Sequence, residues 1–225
     1  MIKLSNHLLE IRIKPDSRFL DKRGSIAANL SDNKFNHWTI SRNRIDFTSE
    51  SYPKLSAFFS FANLGVTSQY PIKKGEFEKS AIDFIKLSWT HFDTSKIIRL
   101  GIKSTFLIET KNFTNTFLNF KNNFLKLNDE NIKKISGELI DIGFPLSFMD
   151  GDNYVNLFTG PMEKKQSQNY FGESAFNSGI FIDIDYFREE LSPYITLKNI
   201  TDFVKAGLEK SEDIVNTVYK IIDEK

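Results

Sequence analysis

The chain has 225 residues and sets 30 Lys and Arg against 29 Asp and Glu, a formal net charge of +1 that calls for neither nucleic acid nor an anionic membrane. Hydrophobic residues make up 40% and charged residues 26%, which excludes wholesale disorder and leaves room for one large domain or two small ones sharing a core. With no cysteine, disulfides, thiolate nucleophiles and Cys-ligated zinc or iron–sulfur centres are excluded as well.

Residues 8–14 alternate, with Leu9, Ile11 and Ile13 on one face and Glu10, Arg12 and Lys14 on the other, as in a half-buried strand. Beyond Pro15, the apolar residues Phe19, Leu20, Ile26, Ala27 and Leu30 recur at helical spacing, and Asp32-Asn33-Lys34 closes that helix. Residues 37–41 and 44–48 predict two short strands around a turn. The next strand, through Leu55, Ala57, Phe59 and Phe61, is apolar on both faces because of Phe58, so it is expected to be covered on two sides.

Residues 66–75, with Pro71 and Gly75, predict a loop, and Phe77, Ala81, Phe84, Ile85 and Trp89 then form a helical stripe. The stretch 96–109 is the strongest strand: Ile98, Leu100, Ile102, Phe106 and Ile108 share one face, interrupted only by Ser104, and Arg99, Lys103 and Glu109 lie on the other. A third helix follows through Phe113, Phe117, Phe120 and Phe124, then a short fourth one that Gly137 ends. Residues 138–149 predict a strand, Asp150-Gly151 a hairpin turn, and residues 163–174 an exposed mobile loop. A strand over 179–187 and a long helix over 197–222 complete the chain.

This order predicts an α+β fold with a mainly antiparallel sheet. Residues 1–95 and 96–225 read as two ferredoxin-like, split β-α-β halves that share or join the sheet, with the long carboxyl-terminal helix packed on it. No run approaches the roughly 20 apolar residues of a spanning helix, and the amino-terminal segment has no signal-like apolar run, so the expectation is a cytoplasmic protein without a membrane partner.

No phosphate loop, dinucleotide fingerprint, His-Glu-x-x-His or Gly-x-Ser-x-Gly motif is present, so no catalytic residue and no cofactor is assigned. His7, His37 and His91 lie on separate segments without ligand spacing and read as surface or strand-end histidines. Asp183 and Asp185, at i and i+2 of one strand, point the same way, and Asp141 could join them as a third carboxylate for a divalent metal. The simpler expectation is that Arg12, Arg99 and Lys103, also on outward strand faces, pair with them across the sheet, with no metal. Lys121, Lys126, Lys133 and Lys134 form the densest basic region, either a solvated helix face or a phosphate-binding surface. Phe58, Phe59 and Phe61 read as core rather than as a base-stacking platform.

Residues 19–24 (Phe-Leu-Asp-Lys-Arg-Gly), His37-Trp38 leading to Ser41-Arg-Asn-Arg44, residues 98–102 and Gly179-Ile-Phe-Ile-Asp-Ile-Asp-Tyr-Phe187 before a long helix together carry a resemblance. In these segments, which in order span most of the chain, it is similar to a sporadically distributed prokaryotic family of uncharacterised proteins often found near phage-defence or mobile-element genes. Where that family tends to have an aromatic residue and Asn on the central strand, this chain has Ser104-Thr105-Phe106. The resemblance implies a cytoplasmic accessory protein in defence and carries over no catalytic residue. The function expected is therefore a non-enzymatic accessory, sensor or interaction subunit that binds a protein partner or itself. The rivals are a nucleic-acid-binding or RNA-processing module, which the net charge does not support, and a metal-dependent hydrolase using Asp141, Asp183 and Asp185.

Overall fold

Alternation of apolar and polar residues builds one wide sheet, seen in a computed structural model that describes residues 3–31, 34–69, 73–189 and 191–223. Its strands are β1 (Lys3–Ile13), β2 (His37–Ile40), β3 (Arg44–Thr48), β4 (Leu55–Ser60), β5 (Asn63–Ser68), β6 (Ile97–Glu109), β7 (Phe144–Asp150), β8 (Asn153–Glu163) and β9 (Ser178–Glu189). Among the described residues they form a nine-stranded sheet in the order β2-β3-β4-β5-β1-β6-β9-β8-β7, and every neighbouring pair is antiparallel. The helices are α1 (Arg18–Leu30), α2 (Lys74–Ser88), α3 (Phe113–Phe124), α4 (Asp129–Ser136), α5 (Lys164–Phe171) and α6 (Leu197–Asp223).

The sheet is continuous through its middle, where β1 and β6 pair from Lys3↔Ile108 to Ile13↔Ile97. Strands up to residue 68 lie on one side of that seam and strands from residue 97 onward on the other. One face buries Leu9, Ile11, Leu64, Val66, Ile102, Phe106, Ile182 and Ile184 under α1, α2, α3 and α6, and a single apolar cluster spans both sides of the seam. Helix α6 supplies Ile200, Val204, Leu208, Val215 and Ile222 to it, at the spacing of one helical face. Gly207 lies in that stripe because a Cβ there would sit 2.9 Å from Tyr186 Cδ1 and 3.2 Å from Ile102 Cβ.

Among the described residues the opposite face carries no helix layer except at one corner, where α5 caps a small second cluster of Leu107, Met162, Phe171, Ala175 and Phe181. This corrects the expectation of a loop over 163–174. The helix is polar along most of its length and turns only Ser167 and Phe171 inward, so the apolar stripe that signals most helices is missing. Its legible signal is the capping box between Glu163 and Gln166.

Two further expectations change. Residues 66–68, expected to open a loop, are instead the end of strand β5, while Pro71 lies outside the described residues, as do Asp32 and Asn33. Residues 138–143 form no strand: β7 begins only at Phe144, Ile140 is largely exposed, and Asp141 lies in the segment leading into the edge. The β7–β8 hairpin turns at Gly151-Asp152, where Gly151 has φ 60, a value that favours glycine.

Candidate functional site

The face of the sheet opposite the main helix layer brings the outward charges together. Arg12 and Arg99 stand directly opposite each other on β1 and β6, an arrangement of like charges that is unfavourable alone. Glu10 offsets it: one carboxylate oxygen accepts from Arg12 Nε at 2.7 Å and lies 3.6 Å from Arg99 Nη1, and the other accepts from Asn63 Nδ2 at 2.8 Å. Arg99 Nη2 donates to both Asp185 oxygens at 2.8 and 2.7 Å, and Lys103 Nζ lies 3.0 Å from Asp183. Asp183 also accepts from the Thr105 hydroxyl at 2.7 Å. Asp183 and Asp185 are thus held by cations across the sheet.

Glycine makes room for this layer. Along one cross-strand row run Phe58, Gly65, Glu10, Gly101, Phe187 and Tyr154. A Cβ on Gly101 would sit 2.9 Å from Arg99 Nη1, so the guanidinium lies down across the glycine, and Arg99 is only 9% exposed although it faces away from the main helix layer. There it stacks 4.4 Å from the centroid of Phe187, which stacks in turn on Tyr154 at 5.3 Å. Phe58 lies over Gly65 in the same way and is covered by the Arg44 guanidinium at 4.2 Å. The second apolar face of β4 is therefore covered by a side chain, not by a second layer.

Asp141 does not join Asp183 and Asp185. Its carboxylate accepts from its neighbour's backbone, Ile142 N at 2.8 Å, and from Gln166 Nε2 at 3.3 Å, beside a cleft of about 450 Å³ that Phe158 and Tyr170 also line. Among the described residues no group of three or more His, Asp or Glu is placed to hold a metal ion. The trio proposed from sequence fails because residue 141 precedes the strand that would have carried it. Of the basic residues, Lys121 bonds Asp129 and Lys134 pairs with Glu130 at 2.8 Å, while Lys126 and Lys133 are exposed on the connection and on α4.

His7 is a further correction. It lies 2% exposed on the helix-covered face, directly across from Ser104, and its Nδ1 is 2.9 Å from the Ser104 hydroxyl. The lone interruption of the β6 apolar face is therefore the partner of a buried histidine on β1. Phe77 and Phe106 wall the ring, and Nε2 has no hydrogen-bond partner. Burial, reinforced by Lys3 and then Lys74, holds its pKa down to about 4, so the ring is neutral at pH 7. His37 pairs with Glu50 at the surface, and His91 is half-buried and shifted down by burial and Lys22.

A feature outside the predicted cluster is an apolar groove of about 440 Å³ between the edge strand and α6, lined by Phe124, Leu146, Phe148, Ile214, Val218 and Ile221. Helix α6 packs on β6 and β9, and α3 packs on β8 and β9 and meets the start of β7, where Phe144 lies against Phe120 and Phe124; beyond Phe144 the strand is left exposed. Every residue of β7 from Pro145 to Asp150 is exposed, Phe148 by 48% and Met149 by 74%. The Asp150–Lys210 pair, 2.8 Å apart, closes one end of the groove. In sequence its signal is Phe144, Leu146 and Phe148 at period two with Pro145 between them, an apolar strand that cannot be central.

Comparison of the sequence with protein-family models and with curated proteins gives no match.

Proposed function

We propose that the protein is a non-enzymatic interaction subunit, one that binds a protein partner or a second copy of itself. The observation that carries this reading is the apolar groove continuous with the open edge of β7. Backbone groups along an open edge and an apolar trough beside it are the two parts by which a fold takes up an extended protein segment. The ion-paired sheet face fits the same reading, since Asp183 and Asp185 are each bonded to a cation of the neighbouring strand.

On this reading the two sides of the seam are expanded split β-α-β units of ferredoxin-like type, each strand-helix opening being followed by an antiparallel meander. The resemblance to a prokaryotic family found near phage-defence genes supplies a context, that of a cytoplasmic accessory or sensor protein. Among the described residues no helix is long and apolar enough to cross a membrane.

The test is a stoichiometric protein complex that Phe148→Lys abolishes while the melting curve of the isolated chain stays unchanged. Binding of RNA or DNA that weakens steeply with salt and ignores Phe148→Lys would replace this reading by the nucleic-acid one.

A further inference from the structure

We infer that the occupant of the β7 edge is β7 of a second copy of this chain, paired antiparallel across a two-fold axis at Ser147. The inference rests on the interaction reading above and specifies its partner. In a hairpin with a two-residue loop, the pair flanking the turn, here Asp150 and Asn153, is hydrogen-bonded, and bonded pairs then alternate along the ladder. Residues 144, 146, 148 and 150 therefore turn their peptide groups toward β8, and residues 145, 147 and 149 turn theirs to the free edge. Pro145 falls on an outward position, where its missing N–H costs no bond within the sheet.

A two-fold at Ser147 uses every outward N–H that the strand has. Each Ser147 N–H donates to the Ser147 carbonyl of the other copy, and each Met149 N–H donates to the Pro145 carbonyl, while the Met149 carbonyl, which Pro145 cannot reach with an N–H, is left to water. On the helix side the same register sets Leu146 against Phe148 of the second copy, twice, so the two exposed apolar residues cover each other. Moving the axis to Phe148 would instead set Leu146 against Asp150, a carboxylate already held by Lys210. An isologous contact of this kind closes on itself, so the edge that would otherwise invite aggregation ends in a dimer. The other edge strand, β2, is shorter at four residues and is not apolar along its length.

The chain has no cysteine, so Ser147→Cys introduces a single thiol. Across the proposed axis its Cα would lie about 5.5 Å from its copy, within the range of a disulfide. Mild oxidation should convert Ser147→Cys nearly completely to a covalent dimer, whereas Thr39→Cys, on the far edge, should stay monomeric. The unmodified chain should sediment as a dimer, and Ser147→Pro, which removes an outward N–H, should sediment as a folded monomer. A monomeric unmodified chain, or a dimer in which position 147 cross-links no faster than position 39, would overturn the inference. Should Ser147→Pro fail to fold, the cysteine pair decides alone. A monomer that binds a different protein through Phe148 removes self-pairing and leaves the interaction reading standing; a chain with neither association removes both.

Discussion

Truncating Arg99 to alanine tests whether the charged sheet face is structural. Arg99 is 9% exposed, and its guanidinium makes two bonds of 2.8 and 2.7 Å to Asp185, stands 3.6 Å from Glu10 and stacks on Phe187. Asp185 keeps about a third of its side chain in water, so this pair falls between an exposed one, worth up to about 1 kcal/mol, and a fully buried one, where removing a partner costs about 3–5 kcal/mol. Adding the cation–π contact, about 1 kcal/mol, gives an expected loss of about 3 kcal/mol for Arg99→Ala. For a chain of this size that lowers the melting temperature by roughly 6–12 °C. Asp185→Asn should cost less, about 1–2 kcal/mol, because Glu10 still faces the stranded guanidinium. Urea unfolding of both single variants and the double variant measures the coupling directly. Two singles within about 0.5 kcal/mol of the parent and no coupling would refute the structural assignment. So would a melting temperature that rises with manganese or magnesium in the parent and not in Asp183→Asn or Asp185→Asn.

The buried histidine gives a pH signature. Because folding depresses the His7 pKa from 6.5 to about 4, the unfolded chain takes up the proton first, so stability is fully present above pH 6.5 and is lost as the pH falls through 4. The window corresponds to about 3 kcal/mol, and His91, also shifted down, acts in the same direction; urea unfolding at pH 7 and pH 4.5 should show most of it, and His7→Gln should flatten the dependence. Deleting α6 by ending the chain after Pro193 should leave a molten or insoluble product, since it uncovers Ile200, Val204, Leu208 and Val215 over β6 and β9, each worth about 1.5–3 kcal/mol of burial. A cooperatively melting truncated chain would show that the helix serves a partner instead. Gly207→Val should cost about 2–3 kcal/mol by driving a side chain into Tyr186 and Ile102, read as a lower urea midpoint at unchanged slope.

The parts of the fold written as periodic burial were legible in sequence. Strand β6 from Leu100 onward and the α2 and α6 stripes follow from spacing alone, as does the side of the sheet on which Arg99, Lys103, Asp183 and Asp185 lie; Ile98, expected on the buried face, is exposed while Ile97 is buried, and the hairpin that Asp150-Gly151 marks turns one residue later, at Gly151-Asp152. What escaped lacks that periodicity. Helix α5 is anchored by a capping box and the adjacent aromatics Tyr170 and Phe171, and the amino-terminal half of β1 places Ser5 and His7 on its inward face, where an apolar residue would have marked it. Pairing of Arg99 with Asp185 depends on β6 and β9 being neighbours in matched register, and Asp141 missed the site because strand limits, not residue types, decide where it lies. The groove was the hardest to foresee, because whether Leu146 and Phe148 are covered depends on where the helix layer ends.

The central claim, that the β7 edge is the surface through which this protein associates, is tested most directly by amide hydrogen exchange on the associated and dissociated chain. The amides of Ser147 and Met149 should exchange rapidly in the monomer and become protected on association, while those of β2 stay unchanged. Protection that appears on β2 or on the ion-paired sheet face, with Ser147 and Met149 still exchanging as in the monomer, would contradict it.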